Sequence, residues 1–436
     1  MDMLASVFIY PTIWLAKILS TLSITLKKGS GTAIPGLFIE KYTPWVIQYY
    51  NNKFKEIIFI SGTNGKTTTR ALLAHIYETN GEKIVTNRGG ANIFRGIASS
   101  LVLSTDIWGQ ISSSTLILEV EEATLPKLTR YIKPDKLILT NIFRDQLDAY
   151  GEIDTTLEFF RKGIANCSDD LQIIINGDDQ KLLSILKEGQ NTTQFKLEDK
   201  ARKPEFETTE TVNISPFGEK ITASQIQMTD NSETRFVINK DNVNFLVTTL
   251  LPGDYNIYNI LASLCVALPK FDHLAIESVA TFKPVFGRGE VIQVGKANLH
   301  LFLVKNPVGF DEVLHFIHQT NTDKPVNICF IINDAIADGK DMSWLWDIKL
   351  EDFRAKQKIE KVLTSGERGL DMLLRLEYGG YNVKITNNIS KIESLIEEIS
   401  TQNANFYVLS TYTALLYTRK EIEKYTDLSS ITATGN

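Results

Sequence analysis

The sequence predicts an α/β fold built on a mostly parallel sheet, and three observations carry that prediction. Four short apolar runs rich in β-branched residues recur between residues 56 and 175. Each run stops in polar or acidic residues, and each is followed by a helix-like stretch. Repeats of this kind lay strands side by side and collect polar side chains along one edge of the sheet.

The 436 residues carry 46 Lys+Arg against 52 Asp+Glu, a net charge of −6, and 43% of them are hydrophobic. At roughly 100 to 200 residues per domain this length predicts two or three domains, each with its own core. The acidic balance argues against a protein that coats nucleic acid, which needs a positive surface. Cys167, Cys265 and Cys329 are widely spaced, without CxxC pairs, which suits a reducing cytoplasm. His315 and His318 share a helical spacing but lack the further ligands of a zinc site.

From the amino terminus, Met3 to Leu26 is apolar and is followed by Lys27 and Lys28. Pro11, Lys17 and several Ser and Thr argue against a spanning segment, and no signal-peptide pattern is present. Ile13, Ala16, Leu19 and Leu22, with Ile18, follow helical spacing. The stretch reads as an amphipathic helix that packs on the protein, the favoured reading, or lies on a membrane surface.

Glu56 to Ser61 reads as a buried strand and runs into Gly62, Thr63, Asn64, Gly65, Lys66, Thr67 and Thr68, with a helix expected from Thr69 to Glu78. Strand, glycine loop, Lys-Thr and helix is an arrangement in which backbone N–H groups and a helix amino end cradle phosphates, the lysine neutralises them and a hydroxyl holds magnesium. The common form of this loop has a glycine where this chain has Ile60, so GTNGKT is a subtype. A second strand, Thr115 to Leu118, ends in Glu119, Val120, Glu121 and Glu122, carboxylates well placed for magnesium. A third, Lys136 to Thr140, leads to Asn141, Asp145, Gln146 and Asp148, and a fourth, Leu171 to Ile175, leads to Asn176, Gly177, Asp178 and Asp179.

These residues resemble the Mur ligase superfamily, ATP-dependent enzymes that join an amine to a carboxylate through an acyl phosphate. GDYNIYNILAS, with Gly253, Asn256 and Asn259, looks like that family's adenine-contacting segment, and PVFGRGEV, with Gly287 and Arg288, like its phosphate-side GR segment. Gln146 in TNIFRDQLD replaces a histidine of ordinary members, a feature of the MurT branch. LVKNPVGFDEVL, NDAIADGKDMSWLWDI, TSGERGLDMLLRLEYGG and LSTYTALL resemble that branch's carboxyl-terminal domain.

The resemblance implies ATP and magnesium as cofactors and a GatD-like class I glutaminase as partner. The substrate it implies is the D-glutamate α-carboxylate of the lipid II stem peptide, amidated to D-isoglutamine at the inner face of the cell membrane. Lys66 is then the phosphate clamp, beside the backbone of Asn64 and Gly65, while Thr67 and Glu119 hold magnesium. Glu122 and Gln146 are further candidates for a second metal or a water network. Arg288 reaches phosphate, and Asn256 and Asn259 either face adenine or cap a helix. Asp341, the Asp before xSW, would complete the partner's Cys and His into a triad, with Asp338 and Asp347 nearby. The chain's own cysteines do not suit a nucleophile, so ammonia comes from the other chain.

The MurT branch commonly inserts a four-cysteine zinc ribbon, but Asn191 to Asn244 here holds no cysteine, and no zinc is expected. Either the ribbon fold persists without metal or a different insertion replaces it. The expected division is a helical lead-in at 1–49, an ATP-binding domain at 50–292 and a smaller Rossmann-like, glutaminase-binding α/β domain at 293–436, with a hinge near Val291 to Gly295. Two other readings are an amino-acid-adding Mur-type ligase and an inactive nucleotide-binding scaffold.

Overall fold

A computed structural model of the chain describes residues 3–25, 33–87, 91–143, 153–199, 218–228, 233–283, 287–322 and 324–426. The main sheet holds β1 (Glu56–Ser61), β2 (Ile84–Thr86), β3 (Thr115–Glu119), β4 (Lys136–Leu139), β5 (Gln172–Asn176), β6 (Thr192–Leu197), β7 (Glu219–Met228), β8 (Thr234–Lys240) and β9 (Val243–Thr249). Their order is β2-β3-β1-β4-β5-β6-β7-β8-β9. All neighbours from β2 to β7 pair in parallel, and β7, β8 and β9 are antiparallel.

The apolar runs of β1, β3, β4 and β5 are buried on both faces, as parallel strands between two helix layers must be. One layer packs Phe59, Leu118 and Leu137 against Ile97, Leu101 and Phe160; the other packs Ile58, Ile117 and Ile138 against Leu72, Ile76 and Leu261. β1 lies between β3 and β4, so the chain departs to opposite sides of it. The carboxyl ends of these three strands therefore open a crevice at the switch point, where α/β sheets bind ligands. In the 191–244 stretch, the described residues continue this sheet. Phe195, Ile221, Ala223, Phe236 and Ile238 alternate inward onto its core while polar neighbours face out.

The smaller sheet holds β10 (Arg288–Val294), β11 (Ala297–Leu303), β12 (Val326–Ile331), β13 (Ile359–Ser365) and β14 (Asn405–Ser410), in the order β10-β11-β14-β12-β13. Only β10 with β11 is antiparallel. The segment expected as a hinge, Val291 to Gly295, is instead strand and turn. Ile292 and Val294 point into the core of this sheet, so the chain enters it at Arg288.

The helix expected from Thr69 begins earlier and spans Lys66–Thr79, because Gly65 (φ 86°) turns the chain directly into it. Lys66 and Thr67 suit a first turn whose N–H groups have no helical partner in any case. The amino-terminal helix, Met3–Thr25, packs on the helices Ala33–Tyr42 and Phe94–Leu103. Ile13 and Ala16 are buried as expected, together with Ile9, Ser20 and Ser23, whereas Ile18 and Leu22 face outward.

Candidate active site at the carboxyl edge of the main sheet

The loop from Gly62 to Gly65 is shaped by its neighbours. Gly62 has φ 127° and a Cβ there would lie 2.2 Å from Thr140 Oγ1, while a Cβ on Gly65 would lie 2.1 Å from Asn259 Oδ1. Both positions thus demand glycine for conformation and for space. From the segment after β4, Asn141 accepts the Thr63 N–H on its carbonyl (3.0 Å) and the Asn64 N–H on Oδ1 (2.9 Å). The Asn64 amide expected to face phosphate is therefore engaged by Asn141.

Lys66 folds back over the loop, its ammonium donating to the Gly62 carbonyl (2.6 Å) and to Glu122 Oε1 (2.7 Å). Both side chains are buried. Burial alone would discharge the lysine, but Glu122, Glu121 and Glu119 outweigh it and hold the ammonium above the usual lysine range. Burial pushes the Glu122 carboxyl up, against the pull of Lys66. Glu122, expected near a second metal, is here the lysine's counter-ion.

Glu119, at the end of β3, is 3% exposed. Its Oε1 accepts from Thr67 Oγ1 (3.1 Å) and Asn92 Nδ2 (3.3 Å). Its Oε2 is buried with no hydrogen-bond partner, although Arg70 Nε lies 3.8 Å away and is itself without one. An orphaned carboxylate oxygen beside a threonine hydroxyl fits a hard divalent cation that keeps most of its shell as water and phosphate oxygens. Among the described residues no group of three or more His, Cys, Asp or Glu gathers to enclose a metal. Gln146, with Asp145 and Asp148, lies outside the described residues.

The far wall of the crevice comes from the helix Asp254–Phe271 and from the smaller sheet. Asn259 accepts from Thr69 Oγ1 (3.3 Å) and donates to Asn256 Oδ1 (2.9 Å), while Asn256 Nδ2 donates to the Pro252 carbonyl (2.6 Å). Neither side chain accepts from a first-turn N–H, so neither acts as the helix cap. Arg288 begins β10 on a turn held by Glu290, which accepts the Gly287 N–H (2.9 Å) and pairs with Arg419. Burial lowers the Arg288 pKa, with Tyr255 and Glu119 pulling it back. Asn64, Thr68, Tyr255, Asn259, Arg288 and Lys305 line one cleft.

Further round the same edge the acids are structural. Asp179 caps a short helix through the Leu182 N–H (3.0 Å) and accepts the Ile142 N–H (2.7 Å); burial pushes its carboxyl up to about 6. Asp178 accepts from Tyr258 Oη (2.9 Å) and the Leu197 N–H (2.9 Å).

In the smaller unit, Asp338 is buried and accepts from the Ala335 N–H (3.1 Å), the Thr413 N–H (2.7 Å) and the Thr413 hydroxyl. Asp341 is only half-buried and accepts the Ser343 N–H (2.8 Å), opening the turn Ser343–Asp347. Arg375 fixes that turn by donating to the Leu345 (3.1 Å) and Ile348 (2.6 Å) carbonyls and to both Glu351 oxygens. His315 and His318 bind Gln319 and Gln357 separately and form no metal pair.

A family model described as "Mur ligase middle domain" matches residues 60–267, and one described as "MurT ligase C-terminal" matches residues 303–415. The chain thus resembles the Mur ligases in its larger part and their MurT branch in its carboxyl-terminal part. A Streptococcus pneumoniae relative, "Lipid II isoglutaminyl synthase (glutamine-hydrolyzing) subunit MurT", is 28% identical over 90% of this chain and 92% of its own length. The Staphylococcus aureus protein of the same name is 29% identical over 86% and 89%. Among solved Mur ligases, MurF of Acinetobacter baumannii superposes with a TM-score of 0.66 at 14% identity, covering 90% of this chain and 80% of that one. MurF of Thermotoga maritima in complex with ADP gives 0.64 at 16%, covering 87% and 83%. At such identities the likeness concerns the fold.

The sequence reading missed Arg70, Asn87 and Asn92. Asn87 holds the Glu119 backbone from both sides, accepting its N–H (2.9 Å) and donating to its carbonyl (2.8 Å). Nothing in local spacing marks these residues, because β2 meets β3 only in the folded sheet. Lys305 and Asn306 carried a signal, a polar pair directly after an apolar strand.

Proposed function

We propose that this chain is the ATP-consuming subunit of a two-chain synthase that amidates the D-glutamate α-carboxylate of the lipid II stem peptide, with ammonia from a partner glutaminase. One observation carries the reading: the MurT-type unit forms the wall facing the phosphate loop, its Asn306 bonded to Asn64 across the cleft. The names of the two full-length relatives supply the substrate and the glutamine dependence.

A carboxylate does not condense with ammonia at neutral pH, because its oxygen is a poor leaving group. Transfer of the ATP γ-phosphoryl group to the carboxylate gives an acyl phosphate. Ammonia then attacks the carbonyl carbon, inorganic phosphate leaves and the nitrogen loses a proton, giving the amide. Lys66 and the helix amino end at Gly65 would neutralise the phosphates, and Arg288 would reach them from the opposite wall. Thr67 and Glu119 would hold magnesium, which when bound offsets charge on the transferring group. Asn256 and Asn259 would bind adenine, for which Asn259 must trade its present partners.

The ammonia source fits a second chain. Burial pushes the Cys167 thiol up to about 11 and raises Cys265 and Cys329 further, so none is an activated nucleophile. Asp341 would orient the partner's histidine. Beside its turn lies an exposed apolar stripe, Leu370, Leu374 and Tyr378 at helical spacing, with Trp346 packed edge-on against Tyr378 (5.4 Å). Aromatic anchors of this kind suit a partner interface.

The test is phosphate release from ATP by the chain copurified with its glutaminase, with the lipid-linked stem peptide and glutamine omitted in turn. Release that needs both supports the reading. Release driven instead by a free amino acid, without glutaminase, would replace it with the amino-acid-adding ligase.

A further inference from the structure

The helix Met3–Thr25 buries one face and exposes large apolar side chains on the other. Trp14, Leu15, Ile18 (54% exposed) and Leu22 (51%) point outward. The loop after the helix Phe94–Leu103 reaches the same face: Trp14 Nε1 donates to the Ile107 carbonyl (2.6 Å), and Lys17 Nζ donates to the Thr105 carbonyl (2.6 Å). That contact sets Ile107 (57%) and Trp108 (61%) beside the exposed face of the helix.

We propose that this face, built from Trp14, Ile18, Leu22, Ile107 and Trp108, docks the protein on an anionic lipid surface. Three observations favour lipid over water or a protein partner. Its polar groups are already satisfied within the protein. The Trp14 N–H is bonded as above, Thr21 Oγ1 donates to the Lys17 carbonyl (3.0 Å) and Thr25 Oγ1 to the Thr21 carbonyl (2.8 Å). An apolar medium requires that arrangement, whereas a protein interface carries direct hydrogen bonds at regular intervals.

The charge is also complementary. In a chain of net charge −6, residues 1–55 carry Lys17, Lys27, Lys28, Lys41, Lys53 and Lys55 against only Asp2 and Glu40. Lysines in the segment that carries an apolar face are attracted to anionic headgroups, and of these Lys17 lies on the helix itself, with Asp106 of the adjoining loop as its nearby acid. Tryptophans stand at the side of the patch, as they do at membrane interfaces. Among the described residues no helix is long and apolar enough to cross a membrane, so the contact is peripheral.

This inference does not depend on which carboxylate the enzyme amidates. The full chain is sedimented with vesicles of phosphatidylglycerol and phosphatidylcholine, and with phosphatidylcholine alone. The expected result is binding to the anionic vesicles, weakened by salt, and reduced at least about tenfold by Ile18→Glu with Leu22→Glu. Because both residues are exposed, melting temperature and ATP binding should not change. Binding that the double variant retains, or no binding by the folded wild type, overturns the proposal. So does a wild-type dimer that the double variant splits without any effect of vesicles, which would make the face a self-association surface.

Discussion

Asn64 and Asn306 exchange two amide hydrogen bonds, Asn64 Nδ2 donating to Asn306 Oδ1 (3.3 Å) and Asn306 Nδ2 to Asn64 Oδ1 (3.0 Å). Asn306 Oδ1 also accepts the Gly309 N–H (2.8 Å) and so caps the helix Pro307–Thr320. One side chain thus joins the phosphate loop to the smaller unit. Asn306→Ala should cost about 1 kcal/mol in urea unfolding and raise the KM for ATP. Asn306→Asp keeps an acceptor for the cap but loses the donated amide bond. It should keep most of the stability and still show the raised KM.

Lys66 and Glu122 form a buried pair whose partners depend on each other. Lys66→Ala should remove ligase activity by at least about a hundredfold and also destabilise the fold by about 3 kcal/mol, because Glu122 is left buried and unpaired. Adding Glu122→Gln to that variant should restore much of the stability and none of the activity. Denaturation and steady-state kinetics on both variants separate the two roles.

Glu119→Gln keeps the hydrogen bonds to Thr67 and Asn92 available while removing the charge at the orphaned oxygen. Titration calorimetry should then show that magnesium no longer strengthens ATP binding, with melting temperature within a few degrees of wild type. Unchanged magnesium dependence would remove Glu119 from the metal site.

Asp341 and Asp338 lie three residues apart and have opposite environments. Asp341→Asn should abolish glutamine-driven amidation in the two-chain complex while ammonium-driven amidation continues, since ATP binding is untouched. Asp338→Asn should instead loosen the loop that Asp338 ties to Thr413, seen as lower thermal stability with both nitrogen sources affected alike.

Glu312 stands at the cleft wall, where burial and the neighbouring Asp254 and Asp311 push its carboxyl from 4.5 up to about 8. The fold favours its neutral form, so its contribution is intact at low pH and is lost as pH rises from about 4.5 through 8. Urea midpoints of Glu312→Gln should accordingly fall less than those of wild type between pH 5 and pH 8. Parallel curves would show that Glu312 does not titrate in that range.

The parallel strands and the phosphate loop were legible in the sequence because each depends on a local pattern: an apolar run, a glycine turn, a Lys-Thr start. Thr67, in the first turn after the phosphate loop, and Glu119, at the end of a strand, were both assigned to magnesium, and they do meet at 3.1 Å. What the sequence hid depends on neighbours distant in the chain. Glu122 looked like a metal ligand until its approach to Lys66 was visible. Asp178 and Asp179 stand at the polar edge of the sheet but serve Tyr258, Leu197, Leu182 and Ile142. On the first helix Ile13 and Ala16 were placed correctly and Ile18 and Leu22 were not, because both faces carry apolar residues and periodicity alone had little asymmetry to read.

The most direct test of the proposed reaction is mass spectrometry of lipid II after incubation with the chain, its partner glutaminase, ATP, magnesium and glutamine. The account predicts the small mass loss of OH replaced by NH2 on the D-glutamate residue, absent with Lys66→Ala and absent without glutamine. Lipid II recovered unchanged while the same preparation consumes ATP with a free amino acid would contradict it.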